Sequence, residues 1–232
     1  RKVWQKLKRE GYIIARCTVA RLMQKLGIQG VWRGKNKQTT RSRDDQKRAD
    51  DLVKRNFNAD HPDQLWVSDF TYIQTHSGWV YTAFIIDVFS RAIVGWKVST
   101  RMNTDMVLDA LEQALHDRGM PKNVIHHSDR GVQYLSIRYT NRLEAANLRA
   151  SVGTTGDSYD NALAETVNGL YKTEVIKYLK ADWQGLADVQ LATLNWVDWF
   201  NKERVHSALG YVSPFDFEAM YYDKINPLGQ VA

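Results

Sequence analysis

Two aspartates occupy positions that packing alone does not explain. Asp69 lies inside the apolar segment VSDFT, two residues from Val67 and four from Ile73, so a β-strand would place these three side chains on one face. Asp129 follows the apolar pair Val124-Ile125 and comes just after the end of a short predicted strand. A carboxylate in half-buried surroundings is costly unless positive charge or hydrogen bonds meet it. The sequence therefore raises the question of what offsets these charges.

A third acid, Glu165, lies in the helical segment DNALAETVNGLYKTE, where Ala162, Gly169 and Lys172 fall near its helix face. Carboxylates without a His or Cys cluster suit Mg²⁺ or Mn²⁺ better than zinc. Two such ions can activate an attacking oxygen and stabilise a leaving one. On spacing alone the alternative stays open that these are three unrelated acids: a strand-edge Asp, a turn Asp and an exposed helix Glu.

The hydrophobic pattern predicts an α/β architecture, a mixed sheet with helices on its faces. Three antiparallel strands come first, and helices then alternate with two further strands. The predicted strands cover residues 64–75, 79–88, 92–99, 122–127 and 148–152. The predicted helices cover residues 103–117, 136–147, about 159–179 and 185–201, with Ile137, Leu143, Leu148, Leu186, Leu191, Leu194, Trp196, Trp199 and Phe200 turned inward.

The first 26 residues predict two short helices, over 2–9 and 15–26, around Gly11. Such a pair is typical of a helix-turn-helix. We expect an apolar face of Val19, Leu22, Met23 and Leu26 on the second helix. Its opposite face carries side chains suited to phosphates and base edges, namely Arg16, Thr18, Arg21, Gln24 and Lys25.

Charge is distributed unevenly along the 232 residues. Residues 1–55 hold 17 Lys and Arg against 5 Asp and Glu, a net +12, whereas residues 56–232 hold 15 against 21, a net −6. A basic arm on an acidic body suggests a nucleic-acid partner, although a solvated tail is the alternative. The basic linker residues expected to contact DNA are Arg33, Lys35, Lys37, Arg41 and Arg43.

Several classes of protein are excluded by composition. The single cysteine, Cys17, rules out an internal disulfide framework and a cysteine-based zinc site. No apolar run approaches the ~20 residues of a membrane helix, and no signal peptide is visible. Because the chain begins with Arg inside a helical pattern, we expect it to be part of a longer polypeptide.

Other polar residues receive structural interpretations. We expect Asp87 to organise a turn with Ser90 and Arg91, with a fourth catalytic acid as the alternative. Asp160 and Asn161 are expected to cap the helix of Glu165. We assign His126 and His127 to strand packing or a hydrogen bond, and His206 to a structural or DNA-contacting role.

The segments WVSDFTYI, HHSDRGVQY and DNALAETVNGLYKTE, followed by WFNKERVHSALGYVSPFDF, resemble the bacterial insertion-sequence transposases with an Asp-Asp-Glu active site. That family belongs with the retroviral-type integrases. In its pattern 35 residues separate the second Asp from the Glu, and 165 − 129 − 1 is 35 here. The resemblance covers residues of about 60 to 218. It implies a ribonuclease-H-like five-stranded core, Asp69, Asp129 and Glu165 as metal ligands, and Lys172 as a contact to the transposon end.

The resemblance also implies an activity. Two Mg²⁺ ions, with Mn²⁺ as a substitute, would support nicking of double-stranded DNA at an element's end and joining of the freed 3′-hydroxyl to another strand. Such an enzyme would work in the bacterial cytoplasm at the nucleoid, as at least a dimer on DNA. The expected units are residues 1–35 (helix-turn-helix), 36–57 (basic linker), 58–218 (catalytic core) and 219–232 (tail). A nuclease or resolvase of this fold, or a non-catalytic DNA-binding regulator, are the alternatives.

Overall fold

The computed structural model describes residues 1–30, 51–54, 56–129, 131–153, 161–179 and 182–226. Its strands are β1 (Leu65–Thr75), β2 (Gly78–Asp87), β3 (Ile93–Ser99), β4 (Ile125–Ser128) and β5 (Arg149–Val152). Its α-helices are α1 (Lys2–Arg9), α2 (Arg16–Lys25), α3 (Thr104–Asp117), α4 (Ile137–Ala145), α5 (Ala162–Tyr171), α6 (Leu186–Lys202) and α7 (Pro214–Ile225). A π-helical stretch, Lys172–Lys177, continues α5, and a 3₁₀ turn covers Ser207–Leu209.

The five strands form one mixed sheet in the order β3-β2-β1-β4-β5. β1, β2 and β3 pair antiparallel, and β4 pairs parallel with both β1 and β5. The ladder between β1 and β4 ends at the pair Ser68 and Ser128, whereas β1 stays paired with β2 as far as Thr75. The predicted five-stranded mixed sheet is therefore confirmed, and the second half of β1 has no partner from β4.

Each face of the sheet has its own core. On one face Val67, Ile73 and Phe84 pack with Tyr171, Trp196 and Phe200 from the helices that follow β5. On the other face Trp66 and Ile85 pack with side chains from α3 and α4, including Leu111, Leu115, Tyr139 and Leu143. Burying each large apolar side chain contributes about 1.5–3 kcal/mol. These two cores fix the sheet beneath the candidate site.

The inward orientation predicted for several residues of α6 is wrong. Leu191, Leu194 and Trp199 are 60%, 50% and 41% exposed. The buried face is instead Val189, Thr193, Trp196, Val197 and Phe200. A helix lying on a sheet buries only one stripe of about 100°, so an apolar residue outside that stripe remains in solvent. Ile137 on α4 and Leu22 on α2 also lie outside the buried stripe of their helices and are exposed, as is Leu26, the residue after α2.

The predicted pair of N-terminal helices is confirmed. The indole of Trp4 on α1 donates to the carbonyl of Ile14, 2.8 Å away, just before α2. Gly27 ends the second helix in the left-handed region, at φ 67°. Arg9 joins this unit to the body, because its guanidinium donates to the carbonyl of Tyr211 and pairs with Asp216, both about 3 Å away.

The last helix, α7, continues past residue 218, where the sequence suggested the end of the core. Pro214 occupies its first turn, and Ser213 caps it by accepting a hydrogen bond from the backbone N–H of Asp216 at 3.2 Å. In the ranges that the structure describes, no helix is long and apolar enough to cross a membrane.

Candidate active site

Asp69 and Asp129 lie side by side at the end of a parallel ladder. The last pair in the register of β1 and β4 is Ser68 with Ser128, so Asp69 is the next residue of β1 and Asp129 is the first residue after β4. Neighbouring strands are about 4.8 Å apart. Two acids 60 residues apart in sequence are thus brought together by the register, and this confirms that Asp129 lies just beyond a strand end.

Burial and mutual repulsion disfavour the charged form of Asp69. Burial raises the pKa of this carboxyl group, and the negative charge of Asp129, then that of Glu165, raises it further. Two hydrogen bonds oppose the rise in pKa. Oδ1 accepts from the backbone N–H of Phe70, and Oδ2 accepts from Nδ2 of Asn168, each at 2.8 Å. The three candidate acids therefore act on one another electrostatically.

Asp129 is held by the turn that follows it. Its Oδ1 accepts a hydrogen bond from the backbone N–H of Gly131 at 2.9 Å. Burial raises the pKa of Asp129, while this hydrogen bond and His127 lower it. A Cβ atom on Gly131 would lie 3.0 Å from Oδ1 of Asp129 and 3.2 Å from Oε1 of Gln133. The glycine therefore permits a close approach of backbone to carboxylate.

Helix α5 presents Glu165 toward the unpaired edge of β1. Asn161 donates to the carbonyl of Ser68 at 2.9 Å, and Asn168 donates to Asp69. Because residues at i, i+4 and i+7 share a helix face, Glu165 lies on the face between these two asparagines, and its side chain is exposed. The predicted capping role of Asn161 is wrong, because its side chain makes no cap hydrogen bond and ties the helix to β1 instead.

The donor set suits a hard divalent cation. Three carboxylates supply only oxygen, the ligand type that Mg²⁺ and Mn²⁺ prefer, and a cation would relieve the repulsion that raises the pKa of Asp69. Within the described ranges, however, no three His, Cys, Asp or Glu side chains are gathered closely enough to hold a metal ion. The acids are thus electrostatically coupled without forming a complete set of ligands.

Lys172 lies where α5 passes into the π-helical stretch. Its ammonium group is 4.6 Å from the ring centroid of Tyr72 on β1, a cation–π distance. The nearby acid Glu174 is engaged by other residues. Glu174 accepts hydrogen bonds from Arg204 and from the indole of Trp196.

The expected structural role of Asp87 is confirmed. Its Oδ2 accepts from both the backbone N–H and the hydroxyl of Ser90 at 2.7 Å, and Oδ1 accepts from the backbone N–H of Asp63 at 3.0 Å. Burial raises the pKa of Asp87 to about 6. These hydrogen bonds stabilise the turn between β2 and β3.

The packing and hydrogen-bond contacts predicted for His126 and His127 are confirmed. His126 is buried and lies 3.1 Å from the hydroxyl of Tyr139, and burial lowers its pKa to about 3. His127 contacts the hydroxyl of Ser151 at 2.9 Å. His206 packs edge-on against Phe200 and pairs through its backbone with Val212.

The predicted DNA-contacting residues fall into two groups. On α2, Arg16, Arg21, Gln24 and Lys25 are exposed and Thr18 is half-buried, so the face expected to meet DNA is accessible. The second group lies outside the described residues and comprises Arg33, Lys35, Lys37, Arg41 and Arg43. Asp160 lies outside them too.

Sequence reasoning missed Asn168, which holds Asp69. The signal was present in the spacing, because Asn168 is one turn from Glu165 on a helix already assigned to the site. It also missed Tyr72 beneath Lys172. Tyr72 is three residues from Asp69 in β1, and no sequence pattern connects it to a lysine 100 residues later.

The mixed sheet in the order β3-β2-β1-β4-β5, flanked by helices, is that of an integrase-type core. Models of the integrase core domain match residues 59–158 and 146–214, and a model of an HTH-like domain matches residues 1–36. A chain of the simian T-cell lymphotropic virus intasome in complex with PP2A regulatory subunit B56 gamma superposes with a TM-score of 0.59 at 17% identity, covering 80% of this chain and 61% of that one. The HTLV-2 integrase catalytic core domain in complex with magnesium (trimeric form) gives 0.56 at 19% identity, covering 69% of this chain and 99% of that one.

Sequence relatives assign the family. The transposase for insertion sequence element IS629 of Shigella sonnei is 56% identical over 225 residues, which cover 97% of this chain and 75% of the relative. A Mycobacterium tuberculosis relative named for IS986/IS6110 is 52% identical over 227 residues, covering 96% and 81%. Transposase InsF for IS3A of Escherichia coli K12 is 40% identical over 172 residues, covering 73% and 59%. The chain therefore belongs to the family of insertion-sequence transposases with an integrase core domain.

Proposed function

We propose that this transposase cuts DNA at the ends of its element and joins the freed 3′-hydroxyl to another strand, with Asp69, Asp129 and Glu165 as ligands for Mg²⁺. The observation that carries the proposal is the electrostatic coupling of these acids at the end of the β1–β4 ladder. Carboxylates that repel one another in a half-buried site are typical of functional sites. The magnesium-bound HTLV-2 integrase core supports the choice of metal.

Two Mg²⁺ ions between these carboxylates would supply Lewis-acid stabilisation of both the attacking and the leaving oxygen. The protein's own groups orient the ligands. Asn168 fixes one oxygen of Asp69, and the N–H of Gly131 fixes one oxygen of Asp129. Glu165, which lies on the face of α5 between Asn161 and Asn168, would supply the third carboxylate ligand.

The reaction needs no covalent intermediate on the protein. In the first step water attacks a phosphodiester, which releases a 3′-hydroxyl and leaves a 5′-phosphate. In the second step that hydroxyl attacks another phosphodiester, so one P–O bond forms as another breaks. Lys172, on the same helix as Glu165, would contact a neighbouring phosphate or base. Because water and the 3′-hydroxyl are the two attacking groups, no Ser or Tyr nucleophile is assigned.

The partner in this proposal is double-stranded DNA, bound by the exposed basic face of α2, the basic linker and the catalytic core. Joining two element ends requires two active sites, so we propose at least a dimer on DNA, acting at the nucleoid in the bacterial cytoplasm. The proposed units are residues 1–35, 36–57 and 58–218, with a tail over 219–232.

The test uses Asp69→Asn, Asp129→Asn and Glu165→Gln on nicking of an intact end and on joining of a pre-nicked end, with Mg²⁺. Each variant should lose both activities and keep DNA affinity close to that of the wild type. Because the three act as a unit, the losses should not add in double variants. Near-native joining by any one variant would remove that residue from the site. Nicking without joining by the wild type would indicate a nuclease instead.

A further inference from the structure

Two aromatic side chains next to the candidate active site are exposed to solvent. Tyr72 on β1 and Trp79 on β2 are 42% and 49% exposed. Their rings are in contact, with centroids 5.3 Å apart and planes at 81°. Side chains that serve only the core would be covered, as Trp66 and Phe84 are in the same two strands. The pair therefore offers an apolar surface that the fold itself does not use.

The aromatic pair is continuous with the site in two ways. Tyr72 follows Asp69 by three residues on β1, a rise of about 10 Å along the strand, so its side chain leaves the strand on the opposite face and reaches the site around the edge of β1. Its ring also lies 4.6 Å beneath the ammonium group of Lys172, on the helix that carries Glu165. The register places Trp79 opposite Gln74, diagonal to Tyr72. We call Tyr72, Trp79 and Lys172 together the aromatic shelf.

Hydrogen bonds hold in place the two strands that carry the aromatic shelf. The turn that joins β1 to β2 is tied to the segment before α6, since the backbone N–H groups of His76 and Ser77 donate to the carbonyls of Trp183 and Gln184 at 2.9 Å and 3.1 Å. The ladder between β1 and β2 is continuous from Trp66 to Thr75. A ligand would therefore meet rings that are already positioned, which limits the entropy lost on binding.

We propose that the aromatic shelf binds one unpaired base of the DNA strand that is cut and joined at the acids. Aromatic faces with a neighbouring cation are the surface that proteins use for single-stranded nucleic acid. A base inside a duplex has both faces stacked, so an exposed ring reaches a base face only after that base leaves the helix. The short separation of Asp69 and Tyr72 along β1 places that base within a few nucleotides of the reacting phosphodiester. The proposal rests on the proposed function, because it assigns the strand held at the same site.

One test locates the base without any chemistry. 5-Iodouracil is placed at each of about six positions around the cut in DNA ends bound by the full chain, with no divalent metal, and irradiated. The aromatic shelf predicts a crosslink to Tyr72 or Trp79 from one or two adjacent positions. Replacing the crosslinked ring by leucine (Tyr72→Leu or Trp79→Leu) should remove the crosslink, while Tyr222→Leu, a control at a tyrosine 47% exposed on α7, should keep it. No crosslink to either ring from any position would overturn the proposal.

A second test compares joining of fully paired ends with ends that carry a mismatch at the crosslinked position. Tyr72→Leu should reduce joining about tenfold or more on paired ends. It should reduce joining much less on mismatched ends, where the base is already unpaired. Tyr72→Phe keeps the ring and should behave like the wild type. An equal loss on both substrates, with or without a lower melting temperature, would show a structural role and overturn the proposal.

The two proposals fail in different ways. If the wild type neither nicks nor joins any end, the proposed function is wrong, and the crosslinking result still judges the aromatic shelf, because that experiment requires only binding. If the wild type joins ends and the crosslinks do not map to the shelf, the shelf alone is rejected.

Discussion

Replacing Asn168 by alanine removes the amide that lies 2.8 Å from Oδ2 of Asp69 and 3.4 Å from the carbonyl of Phe70. A hydrogen bond to a charged group contributes about 1.5–3 kcal/mol. At about 1.4 kcal/mol per factor of ten, losing this hydrogen bond to Asp69 corresponds to a decrease in joining rate of roughly 10- to 150-fold. We expect joining by Asn168→Ala to fall by that factor at neutral pH in saturating Mg²⁺.

The pH dependence of joining should shift in a defined direction. The hydrogen bond from Asn168 lowers the pKa of Asp69 against the opposing effect of burial, so its loss raises that pKa further. Metal ligation requires the deprotonated carboxylate. The acidic limb of the pH–rate profile should therefore move to higher pH in Asn168→Ala, and more Mg²⁺ should be needed to reach half-maximal rate at any pH on that limb.

Asn161→Ala is the matched control. It removes a hydrogen bond from the same helix to the carbonyl of Ser68, at 2.9 Å, and leaves both hydrogen bonds of Asp69 in place. We expect it to lower the free energy of unfolding by about 1 kcal/mol without moving the acidic limb. A pH–rate profile of Asn168→Ala that coincides with the wild type, or a shift equal to that of Asn161→Ala, would refute the role we give to Asn168.

Three further predictions concern the acids and the N-terminal unit. Gly131→Ala should reduce joining with little loss of DNA binding, because its Cβ would come 3.0 Å from Oδ1 of Asp129; unchanged joining would show that the turn adapts. Asp69→Asn should raise the melting temperature in EDTA at pH 7. The pKa of Asp69 is higher in the folded than in the unfolded chain, so its charged form lowers the stability as the pH rises above the unfolded pKa, and asparagine carries no charge. A lower melting temperature would contradict the assigned repulsion. Replacing both Arg16 and Lys25 by alanine should reduce the slope of log affinity against log salt by about 1.8, at ~0.9 per phosphate contact; an unchanged slope would show that this face of α2 is not on DNA.

The strands of the sheet were predictable because their sequence repeats with a clear period. In β1 the alternate positions Leu65, Val67 and Ile73 are apolar, and the structure begins and ends that strand within one residue of the prediction. The same regularity made Asp69 conspicuous, since it occupies a position whose neighbours on that face belong to the core. Local chemistry likewise sufficed for Asp87, whose partner Ser90 is three residues away.

Contacts between distant segments were not predictable in the same way. The exposure of Leu191 and Leu194 depends on which stripe of α6 the sheet covers, and both possible stripes are apolar. Asn161 looked like a helix cap because its sequence neighbours favour one, yet the carbonyl of Ser68, freed where the β1–β4 ladder ends, lies within reach and takes its amide. The contact between Tyr72 and Lys172 depends on how α5 packs beside β1, which the sequence does not specify.

The carboxylates at the end of the β1–β4 ladder lower the stability of the folded chain. Where β4 ends, β1 loses its parallel neighbour, and this creates both an accessible edge and unpaired backbone carbonyls. From helix α5 the amide of Asn161 donates to the carbonyl of Ser68, and the amide of Asn168 donates to Asp69 and to the carbonyl of Phe70. Glu165 lies on the helix face between these two asparagines. Burial and repulsion raise the pKa of Asp69 at the same edge, so its charged form destabilises the folded chain. A sequence selected for stability alone would place a valine at residue 69. The metal ligation and strand transfer proposed above would account for the aspartate there.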